Sequence, residues 1–102
     1  MVKENKNKSN KSIIWREIAT ALIGLSIHIV QSSSGDLEGI KGVIVDESHN
    51  ILKIKTENKI ISVSKENQVF EIITKNNEVI IVEGYLLKGS PDQRVKRKIP
   101  TW

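Results

Sequence analysis

The sequence predicts a mainly β protein, a small six-stranded antiparallel barrel with a short helix before it and another after it. Isoleucine and valine dominate the apolar residues, and β-branched side chains fit a pleated sheet. Short apolar runs alternate with polar turns at regular spacing along the middle of the chain. Strands this short are typical of a strongly bent barrel rather than of a sandwich.

The chain begins with a polar segment that leads into a helix. Residues 1–11 are rich in lysine, asparagine and serine without periodicity, which predicts a disordered basic tail. A helix is predicted over Ile13–Ile23, capped by Ser12 and ended by Gly24. Its apolar face is formed by residues four positions apart: Ile14, Ile18 and Leu22. Trp15 borders this face, so we expect it to pack rather than to stack on a base.

Six strands follow, and we expect consecutive strands to pair as a meander. They are predicted over Leu25–Gln31, Ile40–Asp46, Ile51–Thr56, Ile60–Ser64, Val69–Thr74 and Val79–Glu83. Glycines at positions 39, 42 and 84 allow the sharp bends that a small barrel requires. Pro91 then begins a short basic helix within 91–98. Residues 12–98 therefore form one domain, followed by a C-terminal tail over 99–102.

The hairpin Gly39–Thr56 has two chemically different faces. Leu52 and Ile54 alternate with Lys53 and Lys55, so the apolar side chains face the core and the lysines face solvent.

Composition excludes several classes of protein. The chain has no cysteine, which excludes disulfides, zinc–thiolate sites and thiol nucleophiles. No apolar run approaches the roughly 20 residues that span a bilayer, and the start lacks the apolar stretch of a signal peptide. We expect a cytoplasmic protein that does not contact membranes.

Positive charge is concentrated at the two ends of the chain. Residues 1–12 carry four lysines and one glutamate, a net +3, and residues 88–102 carry five cations and one aspartate, a net +4. The segment between them has 7 basic and 10 acidic residues, a net −3. Basic ends of this kind usually meet phosphate. The candidate RNA-binding residues are Lys41, Lys53, Lys55, Lys59, Arg94, Lys96, Arg97 and Lys98.

Catalytic groups are scarce. His28 and His49 have no second histidine at ligand spacing, and the neighbouring carboxylates Asp46 and Glu47 point to opposite sides of a strand. We therefore assign no catalytic residue, metal or cofactor, and expect a binding protein. Because exposed aromatic residues are few, recognition should favour folded RNA over single strands.

Five segments, taken in order, resemble a known family, protein component 1 of archaeal ribonuclease P, the counterpart of the eukaryotic Pop4 subunit. They are Ala21–Leu25, Gly39–Glu47 with Asn50 and Leu52, Val69–Ile72, Val82–Gly84 and Gly89–Arg94. The resemblance covers about residues 12–98. At Ala21, His49, Ser90 and Gln93 the chain departs from the usual pattern.

The resemblance implies an Sm-like barrel, a relative of the SH3-like barrel, in a non-catalytic subunit of ribonuclease P. In that endoribonuclease the RNA removes 5′ leaders from precursor tRNA. It also implies a small zinc-binding protein as partner, contact with the specificity domain of the RNA and further ribonuclease P proteins. The candidate partner contacts are Trp15, Ile18, Leu22, Ile40 and Val43. We expect a monomer in isolation; the alternative is a self-assembling Sm-like ring acting as an RNA chaperone, with a hydrolase as a distant third.

Overall fold

The computed structural model describes residues 13–97, and the predicted fold class is confirmed there. Helix α1 covers residues 13–20, and helix α2 covers Pro91–Val95. The six strands are β1 (Ser26–Ser32), β2 (Lys41–Glu47), β3 (Ile51–Lys55), β4 (Ile60–Ser64), β5 (Gln68–Ile73) and β6 (Val79–Glu83). Single 3-10 turns form at Gly35–Leu37 and Gly84–Leu87. The predicted cap at Ser12, the two tails and Lys98 lie outside the described residues.

The strands form one antiparallel sheet in the order β4-β3-β2-β1-β5-β6. The meander prediction is correct for β1 to β4 and for the β5–β6 pair, but wrong between β4 and β5. β5 instead pairs with β1 along the whole of β1, from Ser26 to Ser32, whereas β2 pairs with only three residues of β1. The sheet is therefore open, with β4 and β6 as its two edges.

A single aliphatic core lies inside the curved sheet. Each strand contributes inward side chains to it: Ile27, Ile29, Ile44, Leu52, Ile54, Val63, Phe70, Ile72 and Val82. The register shifts between Ile29 and Gln31 in β1 and between Ile44 and Asp46 in β2. Bulges of this kind increase local twist. Side chains from both edge strands thereby reach one common core.

Helix α1 covers one side of this core. Ile14, Trp15, Ile18 and Leu22 are buried, as the spacing predicts. The helix ends earlier than expected, at residue 20, and Gly24 follows in the left-handed region at φ +99°. The Gly24 N–H donates to the Ile44 carbonyl at 2.7 Å, which joins the turn after α1 to β2.

Helix α2 begins with a complete capping box. The Ser90 hydroxyl accepts a bond from the Gln93 N–H, and the Gln93 side chain accepts one from the Ser90 N–H. Ser90 and Gln93 therefore each satisfy the other's backbone N–H at the start of α2.

Candidate nucleic-acid interface

A buried cluster of three charged residues lies where β2 ends, next to α2. The Glu47 carboxylate accepts two bonds from the Arg94 guanidinium, at 2.8 and 3.0 Å, and one from the Lys65 ammonium at 2.9 Å. The side chains of Arg94 and Lys65 are fully buried, and that of Glu47 is 16% exposed. A buried carboxylate between two cations is satisfied in both charge and hydrogen bonding.

The pKa values of the cluster follow from burial and pairing. Burial by itself would raise the pKa of Glu47, but the hydrogen bonds and charges of Arg94 and Lys65 outweigh it and lower that pKa. Burial lowers the pKa of Lys65, and its bond and attraction to Glu47 oppose this effect. Glu47 is therefore held as a carboxylate.

Three backbone carbonyls accept further hydrogen bonds from the Arg94 side chain. Its Nε donates to the Ala19 carbonyl at 2.9 Å, and its Nη1 donates to those of Leu87 and Gly89. The Trp15 indole N–H in turn donates to the Arg94 carbonyl at 3.0 Å. Arg94 thus ties α1, β2 and α2 together, and the expectation that its side chain contacts RNA is corrected.

Four of the predicted RNA-binding lysines are exposed, and they lie on β2, on β3 and in the turn between β3 and β4. They are Lys41, Lys53, Lys55 and Lys59. Lys55 lies opposite Val43, and Lys53 lies opposite the exposed carboxylate of Asp46. We call these four residues the hairpin lysines. Val43 and Lys55 lie opposite each other, so a candidate partner contact and a candidate RNA contact are neighbours on this hairpin.

The basic residues after α2 are separate from the hairpin lysines. Lys96 is exposed, and Arg97 is partly buried with its Nη1 donating to the carbonyls of Leu86 and Lys88. Lys41 begins β2 and Glu47, next to α2, ends it, so Lys41 lies roughly 20 Å along the strand from the α2 end at about 3.3 Å per residue, whereas Lys53, opposite Asp46, lies nearer to that end. The structure does not bring the predicted cations into one patch.

The predicted partner contacts divide by burial. Ile18 is fully buried, Trp15 and Leu22 are 5% and 1% exposed, and all three pack in this chain's own core. They are corrected from surface contacts to core residues, because α1 lies with its apolar face on the sheet. Ile40 is partly buried and Val43 is 39% exposed, so these two are accessible.

Two features of this region are not predicted from the sequence. Glu47 reads as an exposed residue at a strand end and Lys65 as a solvated turn lysine, but Lys65 is fully buried and the Glu47 side chain is only 16% exposed. A lysine and a glutamate flanked by polar residues give no sequence signal of burial. The exposure of Tyr85 is also not predicted, since this residue follows an apolar strand.

Residues 13–97 offer neither a metal centre nor a membrane-spanning helix. Within that range no three histidine, cysteine, aspartate or glutamate side chains are grouped to hold a metal ion. None of the described helices is long and apolar enough to cross a membrane. His28 instead contacts Glu71 on the neighbouring strand, with Nδ1 3.3 Å from Oε1.

The fold defines a small β protein built on one open antiparallel sheet, with exposed lysines on β2 and β3. Comparison with known proteins is more specific: the family model for the ribonuclease P/MRP subunit p29 matches residues 17–97. The chain belongs to this family.

Individual relatives agree with the family match. The chain is 37% identical over 90 residues to ribonuclease P protein component 1 of Pyrococcus furiosus, covering 88% of this chain and 68% of the relative. It is 42% identical over 80 residues to the protein of the same name from Methanococcus aeolicus, covering 76% and 82%.

A solved structure shares the fold. The structure of Mth11, described as a homologue of the human RNase P protein Rpp29, matches with a TM-score of 0.54 at 37% identity. The match covers 72% of this chain and 96% of that one. The six-stranded sheet is therefore the fold of this family.

Proposed function

We propose that this chain is a protein subunit of ribonuclease P that assists the catalytic RNA in removing 5′ leaders from precursor tRNA. The family match over residues 17–97, with relatives named ribonuclease P protein component 1, carries this proposal. The name of these relatives fits the archaeal counterpart of the eukaryotic Pop4 subunit. Because the relatives are archaeal, the proposed complex is of the archaeal type.

Contact with RNA is proposed at the hairpin lysines. Their ammonium groups are exposed on one side of the sheet, and clustered cations release counterions when they neutralise phosphates. Lys53 is the weakest of the four candidates because Asp46 lies opposite it. Lys41, Lys55 and Lys59 are the main contacts proposed, and the specificity domain of the RNA is the proposed target.

The proposed protein partner is a small zinc-binding ribonuclease P subunit. Val43 and Ile60 are exposed on either side of Lys55, which pairs with both across the sheet. Exposed apolar side chains in a cross-strand row offer an interface core with a charged neighbour. Replacing Val43 by aspartate should weaken partner binding in calorimetry, whereas Val79→Asp, on edge strand β6, serves as the control.

A reconstituted cleavage assay tests the proposal. Precursor tRNA is incubated with the cognate ribonuclease P RNA and the other protein subunits, with and without this chain. We expect the chain to raise the cleavage rate or tighten substrate binding. An unchanged rate and an unchanged substrate affinity would contradict the proposed function.

A further inference from the structure

Tyr85 is an aromatic side chain presented on the protein surface. Within residues 13–97, Trp15 and Phe70 are buried, whereas Tyr85 is 44% exposed. It lies in the 3-10 turn Gly84–Leu87, whose Leu86 and Leu87 side chains are buried in the core. The ring is therefore presented by an anchored turn, which limits the entropy lost when a ligand stacks on it.

Tyr85 is among the residues that line a polar cleft of about 540 Å³. Its polar lining includes Ser32, Ser33, Asn67, Gln68 and Glu83. Gln68 is 7% exposed, and its carboxamide oxygen has no hydrogen-bond partner among the described residues. An unpaired buried acceptor costs about 1–3 kcal/mol, and rotation of the amide toward the cleft would let a ligand N–H satisfy it.

A basic cleft of about 660 Å³ lies against the same ring and is lined by His49, Lys88 and Arg97 among others. The Arg97 guanidinium is held by two carbonyls through Nη1, and no bond to its Nε or Nη2 is found within residues 13–97. Lys88 pairs with Glu66 at 3.1 Å, which neutralises the carboxylate that borders both clefts. Arg97 is thus a positioned cation rather than a mobile one.

We propose that the two clefts beside Tyr85 hold one unpaired nucleotide of RNA, with its base stacked on the ring. The base edge lies in the polar cleft at Gln68, and the phosphate lies in the basic cleft at Arg97. This inference rests on the proposed function, and it adds single-strand recognition to a protein whose sequence favours recognition of folded RNA.

The distribution of charge sets the orientation of the nucleotide. Glu83 lies in the polar cleft and would repel a phosphate, but a carboxylate accepts hydrogen bonds from the exocyclic amine of a base. Arg97 favours phosphate, which it can bind with two parallel bonds. A base has a π face for the tyrosine ring, and such stacking tolerates any base.

Binding of RNA oligonucleotides of equal length, single-stranded and duplex, tests the inference. Tyr85→Ala should weaken single-strand binding about tenfold and leave duplex binding unchanged, because the stacking surface is removed. Tyr85→Phe should bind as the wild type does, since the ring remains. Val79→Ala, also at an exposed apolar position, serves as the control.

Cross-linking locates the site in the assembled complex. Ribonuclease P RNA containing 4-thiouridine should cross-link to the peptide that carries Tyr85, and Tyr85→Ala should remove that cross-link. Equal single-strand affinity of the alanine and wild-type proteins would overturn the inference. Burial of Tyr85 by the partner protein in the absence of RNA would also overturn it. If the wild-type chain still stimulates cleavage in that case, the proposed function stands and only the nucleotide site fails.

Discussion

Arg94 and Glu47 form a two-pronged ion pair that joins residues 47 positions apart in sequence, with Nη1–Oε1 at 2.8 Å and Nη2–Oε2 at 3.0 Å. The pair joins distant parts of the chain, because the Arg94 Nε also donates to the carbonyl of Ala19, near the C-terminal end of α1. Arg94, one of the candidate RNA-binding residues in the sequence, is thus an internal connection.

Arg94→Ala should destabilise the protein by about 3–5 kcal/mol, because it leaves part of a buried ion pair without its partner. Urea denaturation measures the change in free energy of unfolding. Lys96→Ala, exposed at the end of the same helix, is the control and should stay within about 0.5 kcal/mol of wild type. Arg94→Lys keeps the positive charge but cannot make both hydrogen bonds of the guanidinium to Glu47, so its stability should fall between those of the two alanine variants. Equal stabilities for the two alanine variants would contradict the assigned role of Arg94.

Stability should fall in acid through Glu47. Its folded-state pKa is below its ordinary value of 4.5, so its contribution is complete above that value and is lost as the pH falls through the folded pKa. Glu47→Gln should be less stable at neutral pH and show a shallower decline in acid. Glu57→Gln controls for the loss of one exposed carboxylate. If the stabilities of the wild type and of Glu47→Gln declined in parallel as the pH fell, this linkage would be contradicted.

Gly84→Ala should destabilise the fold, because an added Cβ would overlap the Lys65 carbonyl oxygen and press on the Phe70 ring. Overpacking of this kind costs about 1–3 kcal/mol or more. Thermal unfolding measures the loss, and Gly35→Ala is the matched control because an added Cβ there meets no atom within 4 Å. A melting temperature for Gly84→Ala equal to that of the control would show that the backbone adjusts freely.

The hairpin lysines should determine part of the salt dependence of RNA binding. Lys55→Gln with Lys59→Gln should reduce the slope of log affinity against log salt by up to about 0.7–0.9 for each phosphate that the protein no longer neutralises. Arg16→Gln with Lys75→Gln also removes two exposed cations, but at other positions, and should leave the slope nearly unchanged. If both pairs lower the slope equally, binding depends on net charge and not on this surface.

Local patterns predict most of the elements. β4 and β6 have the predicted bounds, and the other strands differ from prediction by at most one residue at either end. The alternation of apolar and polar residues in Leu25–Ile29 predicts that Leu25, Ile27 and Ile29 face the core, and all three are buried. These predictions are reliable because side-chain periodicity in a strand is a local property. The β5–β1 pairing is not predicted, because strand order depends on which edges remain available after the first hairpins form.

The sequence by itself determined the class of this protein: six short strands, an aliphatic core, a helix at each end and a family pattern carried by residues in order. Only the tertiary structure decided which charges face water. Charge is read directly from residue type, but burial depends on partners distant in sequence. Arg94 and Lys65 are buried because Glu47 lies between them, whereas Lys41, Lys55, Lys59 and Tyr85 remain exposed and available to a ligand.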